Sequence, residues 1–341
     1  MYTTSIFEEK VPSVIVVNSP FQVLCAIAAI RNLKIDQYRF IVCLNNDSRD
    51  SQMIKLLSSC NVNYQCKRIN YINKLYILIK SIIPKKCRFH RLFIGDVRCM
   101  KLYLIGIGLI SDHSTIIYLD DGIMTISYLA NKIEQPLNKW FRLITLISSY
   151  RRIRLLRDFY SIYDNMSDEV YQKWNIKTNI LKTLCLCENM SDSDTVSCII
   201  GTNSSVYCSY LDLSIDFFYS MLENLFMHVK HMYPSCTIEY YAHGRDDNDN
   251  IKTICKNNGV VYVLPSKMVE LSLLEKKKSP YSIWGFTSSA LYNLKKLYPN
   301  TLVYNVRFHS NIRNAENEEY DFLTNYYERN GIVTKYLPLN N

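Results

Sequence analysis

Short apolar runs alternate with helix-like segments along the chain, and this alternation is the feature that most constrains the fold. In the first half, the runs "SVIVVNSP", "RFIVCLNND", "RLFIGDV" and "TIIYLDDG" are rich in β-branched and aromatic residues and end in small or polar ones. Such runs are typical of buried strands. The segment "FQVLCAIAAIRNL" after the first run predicts a helix. A βαβα order predicts a parallel sheet covered by helices.

A second series of the same kind follows a polar "SDSD" at residues 191–194. Its predicted strands are "TVSCIIGTN", "TIEYYAHG", "GVVYVLPS", "YSIWGFTSS" and "TLVYNVRF", and "DFFYSMLENLFMHVKHM" between the first two has helical period. The 341 residues are enough for two ordinary domains. We therefore predict an α/β protein of two Rossmann-like domains that face a cleft, residues 1–190 and 191–341.

Composition and cysteine spacing narrow the class of protein. A hydrophobic content of 48% supports packed cores rather than disorder. The 12 cysteines stand mostly alone, and the close pair Cys185 and Cys187 lacks the spacing of a zinc knuckle or a redox CxxC motif. The first residues carry acids and no long apolar core, unlike a secretory signal. These features predict a reducing, cytoplasmic location.

The net charge of +9 suggests an anionic partner. Two basic clusters follow apolar, aromatic-containing segments, namely Lys85, Lys86, Arg88, His90 and Arg91, and Arg151, Arg152, Arg154 and Arg157. This arrangement favours contact with an anionic lipid surface over nucleic acid, and a solvated helix face is the equal alternative. No segment reaches the roughly 20 apolar residues of a membrane span.

Four short motifs follow predicted strands, where ligands of α/β sheets bind. They are Asn18-Ser19-Pro20, Asp120-Asp121-Gly122, His243-Gly244-Arg245 and Thr287-Ser288-Ser289. A polar turn with a helix cap is the alternative for the acidic pair. The chain has no glycine-rich dinucleotide fingerprint and no Walker loop, so redox and phosphoryl-transfer functions lose their usual sequence support.

The second pair of motifs suits a phosphate-bearing ligand. Ser288 and Ser289 precede a predicted helix, so their hydroxyls and its free amides could hold a phosphate without metal, or could simply cap the helix. His243, next to Arg245, could protonate or neutralise a departing phosphate. The tract "RDDNDN" lacks the glycine and glutamate of a calcium loop, so we interpret it as a solvated turn.

The motifs "YLDDG", "YYAHGR" and "GFTSSAL", in that order and with the early "NSPFQVLCAI", resemble those of bacterial sialyltransferases that decorate lipooligosaccharide, O-antigen and capsule. The resemblance covers most of the chain and implies a GT-B type fold, with an acceptor-binding N-terminal domain and a donor-binding C-terminal domain. It also implies inverting transfer from CMP-sialic acid to a galactose-terminated glycan or lipid-linked oligosaccharide. No metal or other cofactor takes part in that reaction.

The resemblance assigns a motif aspartate as general base, His243 as general acid and the serines to the CMP phosphate. We take Asp121 as the base and Asp120 as the residue that orients the loop. Asp120, Asp212 and Asp216 are alternatives for the base. The remaining motif residues are candidate substrate-binding residues: Asn18, Ser19, Pro20, Gly122, Gly244, Arg245, Thr287, Ser288 and Ser289.

One departure concerns the histidine motif, where related enzymes usually have proline and this chain has Gly244. This departure favours the subgroup of these sialyltransferases that acts on O-antigen. The alternatives are a glycosyltransferase of the same fold with another activated sugar, and a non-catalytic scaffold that binds sugar nucleotides. We expect a peripheral location on the inner face of the bacterial inner membrane. The sequence is compatible with any sialyl linkage and with more than one oligomeric state, a homodimer among them.

Overall fold

The computed structural model describes residues 11–68, 89–130, 158–181, 195–244, 246, 248–309 and 318–338. The chain divides into two compact units, residues 1–184 and 185–341. The predicted boundary at residues 190 and 191 falls within 182–194, outside the described residues.

The first unit holds, within its described residues, a parallel sheet of seven strands in the order β3-β2-β1-β4-β5-β6-β7. The strands are β1 (Ser13–Val17), β2 (Tyr38–Leu44), β3 (Tyr64–Arg68), β4 (Phe89–Ile94), β5 (Ile110–Tyr118), β6 (Asp158–Ser161) and β7 (Asn175–Thr178). The helices are α1 (Pro20–Asn32), α2 (Ser48–Ser59), α3 (Met100–Ile107), α4 (Ile123–Leu129) and α5 (Asp168–Lys173).

The second unit holds, within its described residues, a parallel sheet of six strands in the order β10-β9-β8-β11-β12-β13. The strands are β8 (Val196–Ile200), β9 (Thr237–Tyr241), β10 (Val261–Val263), β11 (Ser282–Gly285), β12 (Leu302–His309) and β13 (Val333–Pro338). The helices are α6 (Ser204–Leu211), α7 (Ile215–Met232), α8 (Asp249–Asn257), α9 (Val269–Glu275), α10 (Ser289–Leu297) and α11 (Glu318–Arg329).

The central strands are apolar because they are buried inside parallel sheets. All five residues of β1 are buried, and so are all four of β11. Helix α1 begins where the sequence predicts, since Ser19 caps it by accepting a bond from the Gln22 amide at 3.3 Å and Pro20 occupies its first turn. Helix α7 buries one apolar face that includes Phe218, Leu222 and Phe226.

Four strands have no counterpart among the predicted ones: β3, β6, β7 and β13. Three of them lie at the edges of the sheets, and their residues are largely exposed or partly exposed. An edge strand needs no continuous apolar run, so "YQCKR" and "NIKT" carry little strand signal.

Arg91 corrects the interpretation of the first basic cluster. Its side chain is fully buried within β4, and its Nε donates to the Ser13 hydroxyl at 3.0 Å. The guanidinium carbon also lies 5.3 Å from the centre of the Phe93 ring. Because residues 69–88 and 131–157 lie outside the described residues, contact with an anionic membrane stays a prediction. In the described part of the chain, no helix is both long and apolar enough to cross a bilayer.

Each sheet has one point where the strand order reverses direction. In the first unit this point lies between β1 and β4, and in the second unit it lies between β8 and β11. The loops at the carboxyl ends of such a strand pair diverge to opposite faces and leave a crevice, which is where open α/β sheets bind ligands.

Candidate functional site

The two carboxylates after β5 occupy very different environments. Asp120 is fully buried, and it accepts hydrogen bonds from the Ser161 hydroxyl at 2.5 Å and from the Ile162 amide at 2.7 Å. Burial raises the pKa of Asp120 to about 7, although both hydrogen bonds oppose the shift. Asp120 thus ties the end of β5 to the end of β6.

Asp121 lies at the surface of the same loop, with 24% of its side chain exposed. Its Oδ1 accepts from Gln22 Nε2 at 2.7 Å, and its Oδ2 accepts from Arg98 Nη2 at 2.9 Å. Burial and the nearby Asp96 carboxylate raise the pKa of Asp121, while the bonds from Gln22 and Arg98 lower it. A carboxylate held in this way still has lone pairs for a ligand.

Gln22 joins three elements at the reversal point of the first sheet. It lies in the first turn of α1, accepts from the Asn18 amide at 2.9 Å and donates to Asp121. Its side chain packs on Gly95 at the end of β4, where an added Cβ would lie 2.1 Å from Gln22 Oε1. Gly95 is therefore needed for this close approach. The bridge brings Asn18 and Asp121 of the predicted site together.

The loop after β4 holds Arg98 in place from the other side. Asp96 Oδ1 accepts from the backbone amide of Arg98 at 2.8 Å and from its Nε at 3.1 Å. Arg98 therefore lies between two carboxylates, Asp96 and Asp121.

Gly122 starts α4 with φ 68° and ψ −147°, a conformation that is essentially restricted to glycine. The preceding Asp121 amide donates to the Thr125 hydroxyl at 2.8 Å. By contrast, Ser19 and Pro20 form the start of α1, which is the ordinary capping role for these residue types.

In the second unit, His243 follows β9 and is partly exposed. Its carbonyl accepts from the Asp246 amide at 2.8 Å. The Asp246 carboxylate in turn accepts from the Ser204 amide at 2.8 Å and from its hydroxyl at 3.0 Å. These contacts anchor the histidine loop to the start of α6.

This anchor corrects the interpretation of "RDDNDN" as a solvated turn. Asp246 is bonded to the buried Ser204, Asn248 caps α8, and Asp249 and Asn250 belong to that helix. Gly244 is exposed, and a Cβ added there would meet nothing within 4 Å. Arg245 lies outside the described residues.

The serine motif follows β11 at the reversal point of the second sheet. Ser288 caps α10 and accepts from the Ala290 amide at 3.3 Å, and Ser289 is the first residue of that helix. Thr287 has φ 36°, which is unusual for a β-branched residue. The buried Asn305 side chain stabilises it, since Asn305 Oδ1 accepts from the Thr287 amide at 2.9 Å and hydroxyl at 3.1 Å.

The His243 and serine loops share one edge of the second sheet, because β9, β8 and β11 are neighbours. Two interstrand spacings separate β9 from β11, which is about 10 Å. Asp212 and Asp216, the alternative carboxylates, are both exposed and lie at the end of α6 and in the first turn of α7. Among the described residues, no group of three or more His, Cys, Asp or Glu side chains could hold a metal ion.

The chain is similar in fold to solved structures of sugar-nucleotide enzymes. One is assigned as a UDP-N-acetylglucosamine 2-epimerase from Listeria monocytogenes, with a TM-score of 0.54, 10% identity, and coverage of 97% of this chain and 92% of that one. A second is an α/β-galactoside α-2,3-sialyltransferase from Photobacterium phosphoreum, with a TM-score of 0.50, 12% identity, and coverage of 96% and 99%. The chain has the GT-B fold.

A third structure is the UDP-GlcNAc 2-epimerase from Neisseria meningitidis bound to UDP-GlcNAc, with a TM-score of 0.50, 11% identity, and coverage of 94% of this chain and 96% of that one. At these identities the similarity establishes the fold. No family model matches the chain, and no curated protein matches it in sequence.

Sequence reasoning missed the residues that support the predicted site. They are Gln22, Asp96, Arg98, Ser161, Asp246 and Asn305. Gln22, Asp96 and Arg98 stand within a few residues of predicted strand ends, so proximity to an edge was an available signal. Asn305 lies inside β12 and carried no such signal. It supports Thr287 only because β12 pairs with β11 so that Asn305 lies beside Gly285.

Proposed function

We propose that the protein is a metal-independent, inverting sialyltransferase that transfers sialic acid from CMP-sialic acid to a galactose-type acceptor of a surface polysaccharide. The observation that carries this proposal is the placement of its three motifs. Asp120-Asp121-Gly122, His243 and Ser288-Ser289 begin two or three residues after the ends of β5, β9 and β11, at carboxyl edges of two parallel sheets. Those edges are where the fold binds ligands.

The similarity in fold supports a sugar-nucleotide substrate in general. The neighbours include a sialyltransferase, an epimerase solved with UDP-GlcNAc, and the S. aureus MnaA protein solved with UDP. UDP-linked sugars are therefore the alternative donors that an assay must include.

In the proposed reaction, Asp121 accepts the proton of the acceptor hydroxyl as its oxygen attacks the anomeric carbon of sialic acid. The bond between that carbon and the phosphate oxygen of CMP breaks with inversion. His243 as imidazolium neutralises the departing phosphate, which the Ser288 and Ser289 hydroxyls and the start of α10 bind. Positioning and charge control supply the catalysis, because the sialyl carboxylate itself stabilises an oxocarbenium-like transition state.

The different environments of the two acids support the choice of base. Asp120 is buried and fully engaged with Ser161 and Ile162, so it has no access to an acceptor. Asp121 is partly exposed, and the bonds from Gln22 and Arg98 favour its ionised form against the effect of burial, which raises its pKa. Two neighbouring carboxyl groups in different environments are a recurrent arrangement in acid–base catalysis.

The test is release of CMP and formation of a sialoside from CMP-sialic acid and a galactoside, in excess EDTA, with UDP-GlcNAc and other UDP-sugars in parallel. Transfer from CMP-sialic acid that EDTA leaves unchanged supports the proposal. Asp121→Asn should lower kcat by about 100-fold or more with little change in donor KM.

The exposed Asp212→Asn and Asp216→Asn variants provide the matched controls, since they make the same chemical change on the surface of the second unit. Turnover of a UDP-sugar with no reaction of CMP-sialic acid would overturn the donor assignment. A large loss in either control variant, with full activity in Asp121→Asn, would move the base to the second unit.

A further inference from the structure

Arg98 lies between two carboxylates in a way that suits control of charge. Its Nη2 donates to Asp121 at 2.9 Å, while its backbone amide and Nε donate to Asp96 at 2.8 and 3.1 Å. Its Nη2 also reaches Asp96 Oδ2 at 3.3 Å. The three contacts to Asp96 fix the arginine before any ligand arrives.

The charges around Asp121 come from several elements. Asp96 and Arg98 lie in the loop after β4, Asp120 precedes Asp121 after β5, and Arg49 on α2 contributes a weaker positive charge. Asp120 is buried and keeps its proton to near neutral pH, because burial raises its pKa to about 7. Among the described residues, Arg98 is then the cation in direct contact with Asp121, opposed by Asp96.

We propose that Arg98 is a positioning residue that holds the Asp121 carboxylate in its charged form and in one orientation, ready to accept a proton. The proposal deepens the proposed function, because it rests on Asp121 as the base. Gln22 fixes the other carboxylate oxygen. Asp96 aims the guanidinium and limits its effect on Asp121, so that the carboxylate stays basic enough to take a proton.

A purely structural ion pair is the competing explanation. The Arg98 and Asp121 side chains are each 24% exposed. A charge in direct contact still shifts the pKa of a neighbouring carboxyl by about one to three units. Both explanations predict a shift in the titration of Asp121, and they differ in the acid limb of the pH profile of kcat, which a purely structural pair leaves unmoved.

The test compares three variants by carboxyl-carbon NMR of the full-length protein labelled with ¹³C-aspartate, with Asp121→Asn to assign the resonance. Arg98→Met removes the charge and keeps the aliphatic stem, and should raise the midpoint of Asp121 by about one pH unit or more. Arg98→Lys retains the charge, so the titration midpoint of Asp121 should stay close to the wild-type value. Asp96→Asn removes the like charge, keeps an oxygen for the Arg98 amide, and should lower the midpoint.

The acid limb of the pH profile of kcat should follow the same signs in the transferase assay. The proposal is overturned if the Asp121 midpoint is unchanged in Arg98→Met. It is also overturned if Arg98→Met and Asp96→Asn shift this midpoint in the same direction. The NMR titration needs no substrate, so it separates this inference from the proposed function. Shifted NMR midpoints with an unmoved acid limb identify a structural ion pair and overturn the positioning role, and transfer that persists in the assay then leaves the proposed function standing.

Discussion

Replacement of Asp120 by asparagine should stabilise the protein at alkaline pH relative to wild type. The carboxyl group is fully buried, and burial raises its pKa from 3.8 to about 7 in the folded state. Between these values the folded protein binds a proton that the unfolded chain has released. The contribution of Asp120 to the free energy of unfolding therefore falls as the pH rises from about 4 to 7, and this contribution is constant above pH 7.

The magnitude follows from the size of the shift. A difference of about three pKa units corresponds to roughly 4 kcal/mol, at about 1.4 kcal/mol per unit. Asparagine cannot ionise, yet its oxygen can accept from the Ile162 amide and its amino group can donate to the Ser161 hydroxyl. The Asp120→Asn variant should lose this pH dependence of the free energy of unfolding and keep most of the packing around residue 120.

Urea denaturation of wild type and Asp120→Asn between pH 4.5 and 8.5 measures the effect. The stability of the variant relative to wild type should increase by a few kcal/mol across this range. Asp36→Asn, an exposed aspartate in the same unit, controls for the change of side chain. A relative stability that is flat, or that falls with pH, would refute the argument that burial raises the pKa of Asp120 in the folded protein.

Two further predictions concern the second unit. Asp246→Ala removes the carboxylate that accepts from the Ser204 amide and hydroxyl, and each such bond is worth about 1.5–3 kcal/mol. We expect kcat to fall more than donor affinity, and we expect the losses of Asp246→Ala and Ser204→Ala to be less than additive in a double-mutant cycle. Additive losses would show that Asp246 does not anchor the loop through Ser204. Asn305→Ala should raise the donor KM about tenfold by releasing Thr287, whose backbone conformation costs about 1–3 kcal/mol. Thr287→Gly should restore much of this loss, and no rescue by glycine would show that backbone strain is not the cause.

Most of the central strands could be predicted from the sequence, because strands buried on both faces are continuous apolar runs. The runs that hold β1, β5 and β11 are examples, and the polar motifs after them lie at the edge where parallel strands end. The edge strands β3 and β7 could not be predicted, since partial exposure removes the apolar signal.

The support of the site could not be predicted, because it depends on which strands are neighbours. Asp120 and Asp121 are adjacent and chemically identical in the sequence, and only the packing of β6 beside β5 shows which one is buried. Arg91 illustrates the same limit. In the sequence, Arg91 belongs to a basic cluster that predicts a charged surface. In the structure, the pairing of β4 with β1 places Arg91 against Ser13 in the interior.

The contact between Gln22 and Gly95 couples these two positions during evolution. An added Cβ at position 95 would lie 2.1 Å from the glutamine oxygen, so the Gln22 side chain would have to move and would lose its bond to Asp121. A shorter residue at position 22 removes the obstacle, but it also removes the bond to Asp121. A change at either position thus breaks the same bond. In a library that varies both positions, functional sequences should keep glutamine and glycine together.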